Sequence, residues 1–244
     1  MMEKGTLRQI LLITDGCSNR GESPVQCAKR AYENGITVNV IGILDESESY
    51  VNHSLQEVEL IAEAGGGVSQ VIYKEDLSRT VQAVTRQAMN ETLQGFVHKE
   101  LANIFGTERS LEEIEPDKRG EVIEVVEKLG ETCNLEVLLL IDTSASMHDK
   151  LPTVKDALFD LSLNLEARLG DNLFAIYQYP TEHGTIGLIQ DWVQKIDSIT
   201  ALFPHLVSGG ITPTGPAIRE ATEKLQALHN RGEIDGAKGW AEEG

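Results

Sequence analysis

Positive charge is what this sequence has least of: 21 Lys and Arg stand against 39 Asp and Glu, a formal net charge of −18, and no Lys/Arg run is longer than a pair. A nucleic-acid backbone or an anionic membrane surface requires a basic face, so neither is an expected partner. The acidic residues are spread over helix-like segments rather than gathered in one tail, and their ordinary consequence is solubility and self-repulsion. Cysteine is also scarce. Cys17, Cys27 and Cys133 are odd in number, widely spaced and lack a Cys-x-x-Cys pair, which argues against a zinc knuckle or a disulfide framework and fits a reducing compartment. No apolar run approaches the roughly 20 residues of a membrane helix. The opening MMEKGTLRQ leads into ILLIT, too short for a signal-peptide core. The expectation is a cytoplasmic protein without membrane insertion.

What is present is the composition of a folded protein. With 244 residues, 41% hydrophobic and 25% charged, the chain suits one α/β domain of ordinary size plus extra elements. LRQILLIT at 7–14 is an apolar run closed by Asp15-Gly16, as expected of a strand covered on both faces. A helix opening on Pro24 and ended by Gly35 leads to the strand ITVNVIGIL. A helix over 54–64 stops at Gly65-Gly66-Gly67, the strand VSQVIY follows, and a further helix is expected over 76–93. From 95 to 133 the sequence turns polar, acidic and helix-prone, and reads as a helical connector. Alternation then resumes with LEVLLLID at 135–142, the most apolar run and the expected central strand. A helix is expected from Thr153 to Leu169, with Val154, Ala157, Leu158, Leu161 and Leu165 at helical spacing. NLFAIYQYP and TIGLIQDW form a strand pair at a sheet edge, and a short helix is expected around 198–206. The Gly- and Thr-rich loop VSGGITPTGPAI leads into a helix over 215–228, and 230–244 reads as a flexible tail. The fold class expected is α/β: three layers, a doubly wound and mostly parallel sheet with helices on both faces, and one antiparallel edge strand.

The chemistry sits at strand ends. In LLLIDTSAS, Asp142, Ser144 and Ser146 follow the most apolar strand, where ligands of open α/β sheets bind. One carboxylate and two hydroxyls form a hard-oxygen set that suits Mg²⁺, less selectively Mn²⁺ or Ca²⁺, and suits zinc poorly. Asp and Ser are equally at home as loop and cap residues, so this segment alone leaves both readings open. Two further features share the chemistry: Asp15 in LLITDG, at the end of another buried strand, and Thr212 in GGITPTGPAI, with Thr214 of lesser weight. His148 near the site reads as a solvent-facing loop residue, and Cys17 as a structural one.

Together, Asp142-x-Ser144-x-Ser146, Thr212 and Asp15 resemble the metal-ion-dependent adhesion site of von Willebrand factor A (VWA) domains. The resemblance implies that the Ser-x-Ser pair and the Thr bind an ion directly or through water, and that the Asp side chains hold it largely from beyond the direct ligands. It also implies that a partner protein's carboxylate fills the open position. The segment order departs from the family, since the TDG segment and its following strands come first here. The chain therefore resembles a circularly permuted VWA domain, with 1–94 as the family's C-terminal half, 95–133 as connector, 134–229 as the N-terminal half and 230–244 as tail. A narrower resemblance is to permuted VWA proteins of spore-forming Gram-positive bacteria, which implies a role in sporulation.

The function expected is divalent-metal-dependent binding of a protein that presents an Asp or Glu. Two other readings stand beside it. One is a metal-assisted hydrolase or phosphatase, although no Gly-x-x-x-x-Gly-Lys-[Ser/Thr] loop, Gly-x-Ser-x-Gly elbow or DxDxT signature occurs. The other is a scaffold subunit in which the metal clamps the two halves of the fold.

Overall fold

The computed structural model describes residues 6–16, 18–44, 51–73, 132–155, 169–194 and 211–239, with isolated positions 83, 87, 120, 124, 128 and 158. Most of the expected helix over 76–93, of the 95–133 connector and of the helix expected from Thr153 to Leu169 lies outside the described residues, as do the whole of the expected helix around 198–206 and Cys17.

Among the described residues six strands form one sheet: β1 (Thr6–Thr14), β2 (Ile36–Leu44), β3 (Gly66–Tyr73), β4 (Asn134–Asp142), β5 (Asn172–Tyr179) and β6 (Gly187–Val193). Their spatial order is β3-β2-β1-β4-β5-β6. Five strands run parallel, and β6 pairs with β5 antiparallel at the edge. The expected α/β class, mostly parallel sheet and antiparallel edge strand are all found.

The two strands at the centre explain why the apolar runs were continuous. The last six residues of β1 and of β4 are buried without interruption. A strand with one wet face would alternate; these have both faces covered. Leu11 and Ile13 join Leu139, Ile141, Phe174 and Ile176 on one face, against Met147, Leu151, Val154 and Leu158. Ile10 and Leu12 join Leu138 and Leu140 on the other. There they pack on α1 (Pro24–Glu33), α2 (Val51–Ala64) and α3 (Thr214–Gly239) through Ala28, Ala31, Val58, Ile61, Ala217 and Ala221. Each large apolar side chain sealed in this way contributes about 2 kcal/mol.

Local signals set the element ends. Ser23 caps α1, its hydroxyl accepting from the Gln26 N–H, and Pro24 takes the first turn, where a missing N–H costs nothing. Gly35, at φ 74°, reverses the chain into β2. The helix expected from Thr153 begins at Leu151. α3 runs on to Gly239 rather than ending near 228, so the segment expected to be a tail is helical over most of its length. Gly232, Gly236 and Gly239 weaken a helix by about 1 kcal/mol each but do not stop it, and no proline follows Pro216.

The strand order sets the place of the site. After β1, β2 and β3 have filled one side of the sheet, the chain returns to the other side of β1 as β4. Connections leave β1 and β4 in opposite directions, which opens a crevice between their C-terminal ends.

Candidate functional site

Asp15 and Asp142 stand at the two lips of that crevice. β1 and β4 are in register from Thr6↔Asn134 to Ile13↔Ile141, and one step further Thr14 meets Asp142. The Thr14 hydroxyl donates to Asp142 Oδ2 at 2.7 Å, and it accepts from the Gly16 N–H at 3.1 Å. One hydroxyl thus ties the turn after β1 to the carboxylate at the end of β4. Gly16 is required in that turn: its φ is 84°, and a Cβ there would lie 2.7 Å from the Ser54 Cβ on α2.

Asp142 is fully buried. Its Oδ1 accepts from the Ser144 N–H at 2.9 Å, so the chain folds back over the carboxylate as it leaves the strand. Ser144 and Ser146 lie 3.2 Å apart through their hydroxyls; Ser144 is buried and Ser146 is exposed. A short 3-10 turn, Ala145–Met147, follows, anchored by the buried Met147. Burial pushes the Asp142 carboxyl from 3.8 up to about 6, against the Ser144 N–H and the Thr14 hydroxyl, which favour the anion; the neighbouring Asp15 charge adds to the rise.

Asp15 is only 5% exposed and meets Lys150 Nζ at 3.1 Å, an ion pair in which the lysine is 4% exposed. Asp15, Asp142 and Lys150 therefore carry a formal charge of −1 −1 +1, or −1, with almost no access to solvent.

The third strand end is β5. Asp142 is paired with Tyr179, whose carbonyl accepts from the Thr143 N–H at 2.7 Å and the Thr143 hydroxyl at 3.1 Å. The Tyr179 hydroxyl lies 3.4 Å from Thr214 Oγ1, and burial followed by the Asp142 charge holds this phenol neutral, well above its usual range. Thr212, also buried, is clasped by the segment after β1. Its N–H donates to Asn19 Oδ1 at 2.9 Å, and its carbonyl accepts from the Asn19 N–H at 3.2 Å.

The structure thus brings Asp15, Asp142, Ser144 and Ser146 to neighbouring strand ends, and holds the Thr212 backbone against the β1 loop. Four contributors were not evident from sequence: Thr14, Lys150, Tyr179 and Asn19. Thr14 lies inside LLITDG, and Tyr179 ends a strand as Asp142 does, so position carried a signal for both. Lys150 reads as an ordinary loop lysine, and only its burial sets it apart. His148 is exposed, as expected. Cys27 is a free thiol pushed up to about 11 by burial and by Glu22, which keeps it unreactive near neutral pH.

In chemical capacity the cluster offers carboxylate and hydroxyl oxygens as hard donors, with the Lys150 ammonium paired to one of the two carboxylates. Among the described residues, no group of three or more His, Cys, Asp or Glu side chains is placed to hold a metal, so any ion here depends on hydroxyl donors. Among the same residues no helix is long and apolar enough to cross a membrane.

Thr14→Val tests the link between the strands. With its hydroxyl gone, Asp142 loses a charge-assisted bond and the Gly16 N–H loses its acceptor, at a cost of about 2 kcal/mol in urea unfolding at pH 8. A loss below roughly 0.5 kcal/mol would show that the bond is not formed in solution.

Fold and site define an α/β protein with an acidic, hydroxyl-lined cluster at the crevice between its two central strands. The chain is 55% identical over 230 residues to the uncharacterized protein YabS of Bacillus subtilis (strain 168), covering 94% of each, and it belongs to that protein's family. A crystal structure of an uncharacterized protein from Alicyclobacillus acidocaldarius subsp. acidocaldarius DSM 446 is similar at 42% identity and a TM-score of 0.83, over 93% of this chain and 96% of that one. The sequence matches no protein-family model.

Proposed function

We propose that this protein is a divalent-cation-dependent protein-binding module, built as a circularly permuted VWA domain whose ion-binding residues are Asp142, Ser144, Ser146, Thr212 and Asp15. The observation that carries the reading is the buried pair Asp142 and Asp15 at adjoining strand ends, with the Ser144–Ser146 hydroxyls beside them. Their donor chemistry fits a hard cation, and the −1 that Lys150 leaves uncompensated favours the approach of one.

Permutation is supported by the β1–β4 ladder. In this reading residues 1–94 and 134–229 are the exchanged halves, and their seam is the in-register pairing from Thr6↔Asn134 to Ile13↔Ile141. The site straddles that seam.

When bound, Mg²⁺, or less selectively Mn²⁺ or Ca²⁺, supplies a Lewis-acidic position for an Asp or Glu of the partner. The chain's own residues prepare for this in three ways. Thr14 and the Ser144 N–H fix both oxygens of Asp142. Neutral Ser and Thr donors leave much of the ion's charge available to an incoming carboxylate. Burial lowers the local dielectric and so strengthens that bond. A net charge of −18 repels acidic proteins at long range, so the partner presents its acidic residue within a neutral or basic patch.

Capture from an extract of the source cells, on immobilised full-length chain, tests the reading. Retention is expected in MgCl₂, with loss in excess EDTA and in the Ser144→Ala/Ser146→Ala double variant. Capture indifferent to both changes overturns it. Stabilisation by Mg²⁺ with unchanged capture assigns the ion a structural role instead.

A further inference from the structure

Lys150 is an unusual place to keep an ammonium group. Its neighbours His148 and Asp149 are exposed, yet its own side chain is 4% exposed. Burying an ammonium costs several kcal/mol unless an anion is at hand, and here that anion is Asp15 Oδ2 at 3.1 Å. The backbone sets up the meeting. Met147, fully buried, accepts from the Lys150 N–H at 2.9 Å, and the Lys150 carbonyl accepts from the Val154 N–H at 3.1 Å. The loop leaving Asp142 is thereby doubled back, and its lysine reaches the carboxylate at the end of the neighbouring strand.

The same loop carries Ser144 and Ser146, so the group that neutralises Asp15 is joined to residues assigned to the ion. The charges of this buried set favour exchange. Two carboxylates and a divalent ion sum to zero, whereas the same three with the ammonium retained sum to +1. A lysine on a flexible four-carbon stem is able to leave such a position without moving the backbone.

We infer that Lys150 is a built-in competing cation: it occupies Asp15 when the site holds no divalent ion, is displaced when one binds, and so raises the cation concentration at which the site loads. The inference rests on the proposed metal site and adds its regulation.

The experiment is Mg²⁺ titration of the full chain by calorimetry, with thermal unfolding in EDTA and in MgCl₂, for wild type and Lys150→Met. Met keeps the length of the stem without the charge. The expected result is Mg²⁺ binding tighter by about tenfold in the variant, since the competing charge is gone. A lower Tm than wild type in EDTA, recovered in millimolar MgCl₂, is expected alongside. Should Lys150→Met fail to fold in EDTA, folding on addition of MgCl₂ supports the inference, and failure in both conditions overturns it. Unchanged or weaker Mg²⁺ binding by a folded Lys150→Met overturns the inference and leaves the site reading standing. No Mg²⁺ binding by wild type or variant overturns the site reading, and the inference with it.

Discussion

Asp142→Asn is expected, on the proposed ion site, to abolish the response of thermal stability to MgCl₂ and to weaken Mg²⁺ binding by about 100-fold or more, because one of the two buried carboxylates that would face the ion loses its charge. Asn has nearly the same size as Asp, and its amide oxygen still accepts from the Ser144 N–H. Its amide nitrogen donates to Thr14, whose hydroxyl turns to accept. The fold is retained, and the variant isolates charge from shape. Calorimetry and a thermal ramp, each with and without Mg²⁺, read the result. A Mg²⁺-induced shift of wild-type size in Asp142→Asn would place the ion elsewhere.

The second large effect appears without metal, as a fall in stability when pH rises from about 4 to about 6. Asp142 is held near 6 in the folded chain against an ordinary 3.8. Between those values the folded state keeps a proton that the unfolded chain has released. The unfolded state binds fewer protons, so unfolding becomes easier as pH rises. Roughly two pKa units correspond to about 3 kcal/mol, present below pH 4, lost progressively up to pH 6 and constant above it. Other carboxylates shift the total, so the quantity to measure is the difference between wild type and Asp142→Asn. Urea unfolding in EDTA across pH 4 to 7 should show that difference falling; a flat difference would mean that Asp142 ionises normally and is more open to water than the structure has it. On the proposed reading, Mg²⁺ would act in the opposite direction above pH 6, by pairing with an anion that burial disfavours.

The two effects share one cause. A carboxylate has been placed where burial disfavours it, the neighbouring Asp15 charge adds to the cost, and hydrogen bonds from Thr14 and Ser144 offset only part of it. A cation-binding site has a use for such an anion; a loop that merely needed a capping residue does not need to bury it.

Much of the frame was legible in the residue order. The runs LRQILLIT and LEVLLLID read as strands because β1 and β4 are covered on both faces, and continuous apolarity has no other use at that length. The Pro24 start and Gly35 stop of α1 were legible because each residue has a distinctive backbone preference. The hairpin of β5 and β6 was legible in its short polar turn, although β6 begins at Gly187 rather than Thr185. The far end of α3 was misjudged because loss of amphipathic pattern is a sign of lost packing, not of lost helical backbone.

The site divides in the same way. Asp15, Asp142, Ser144 and Ser146 were visible because strand-end position and side-chain chemistry are both written locally. That they meet was implied only by the family resemblance and not by any local property, since the pairing of β1 with β4 joins residues 128 apart and is decided by the packing of the whole sheet. Thr14, Lys150 and Tyr179 each have an ordinary local reading, and their roles come from what surrounds them. By itself the sequence determined that oxygen-bearing residues stand at the ends of buried strands, because burial and turn chemistry are local properties. Only the tertiary structure decided that the strands are neighbours, that Asp142 is buried deeply enough to resist ionising, and that a lysine from its own loop is paired with the carboxylate beside it.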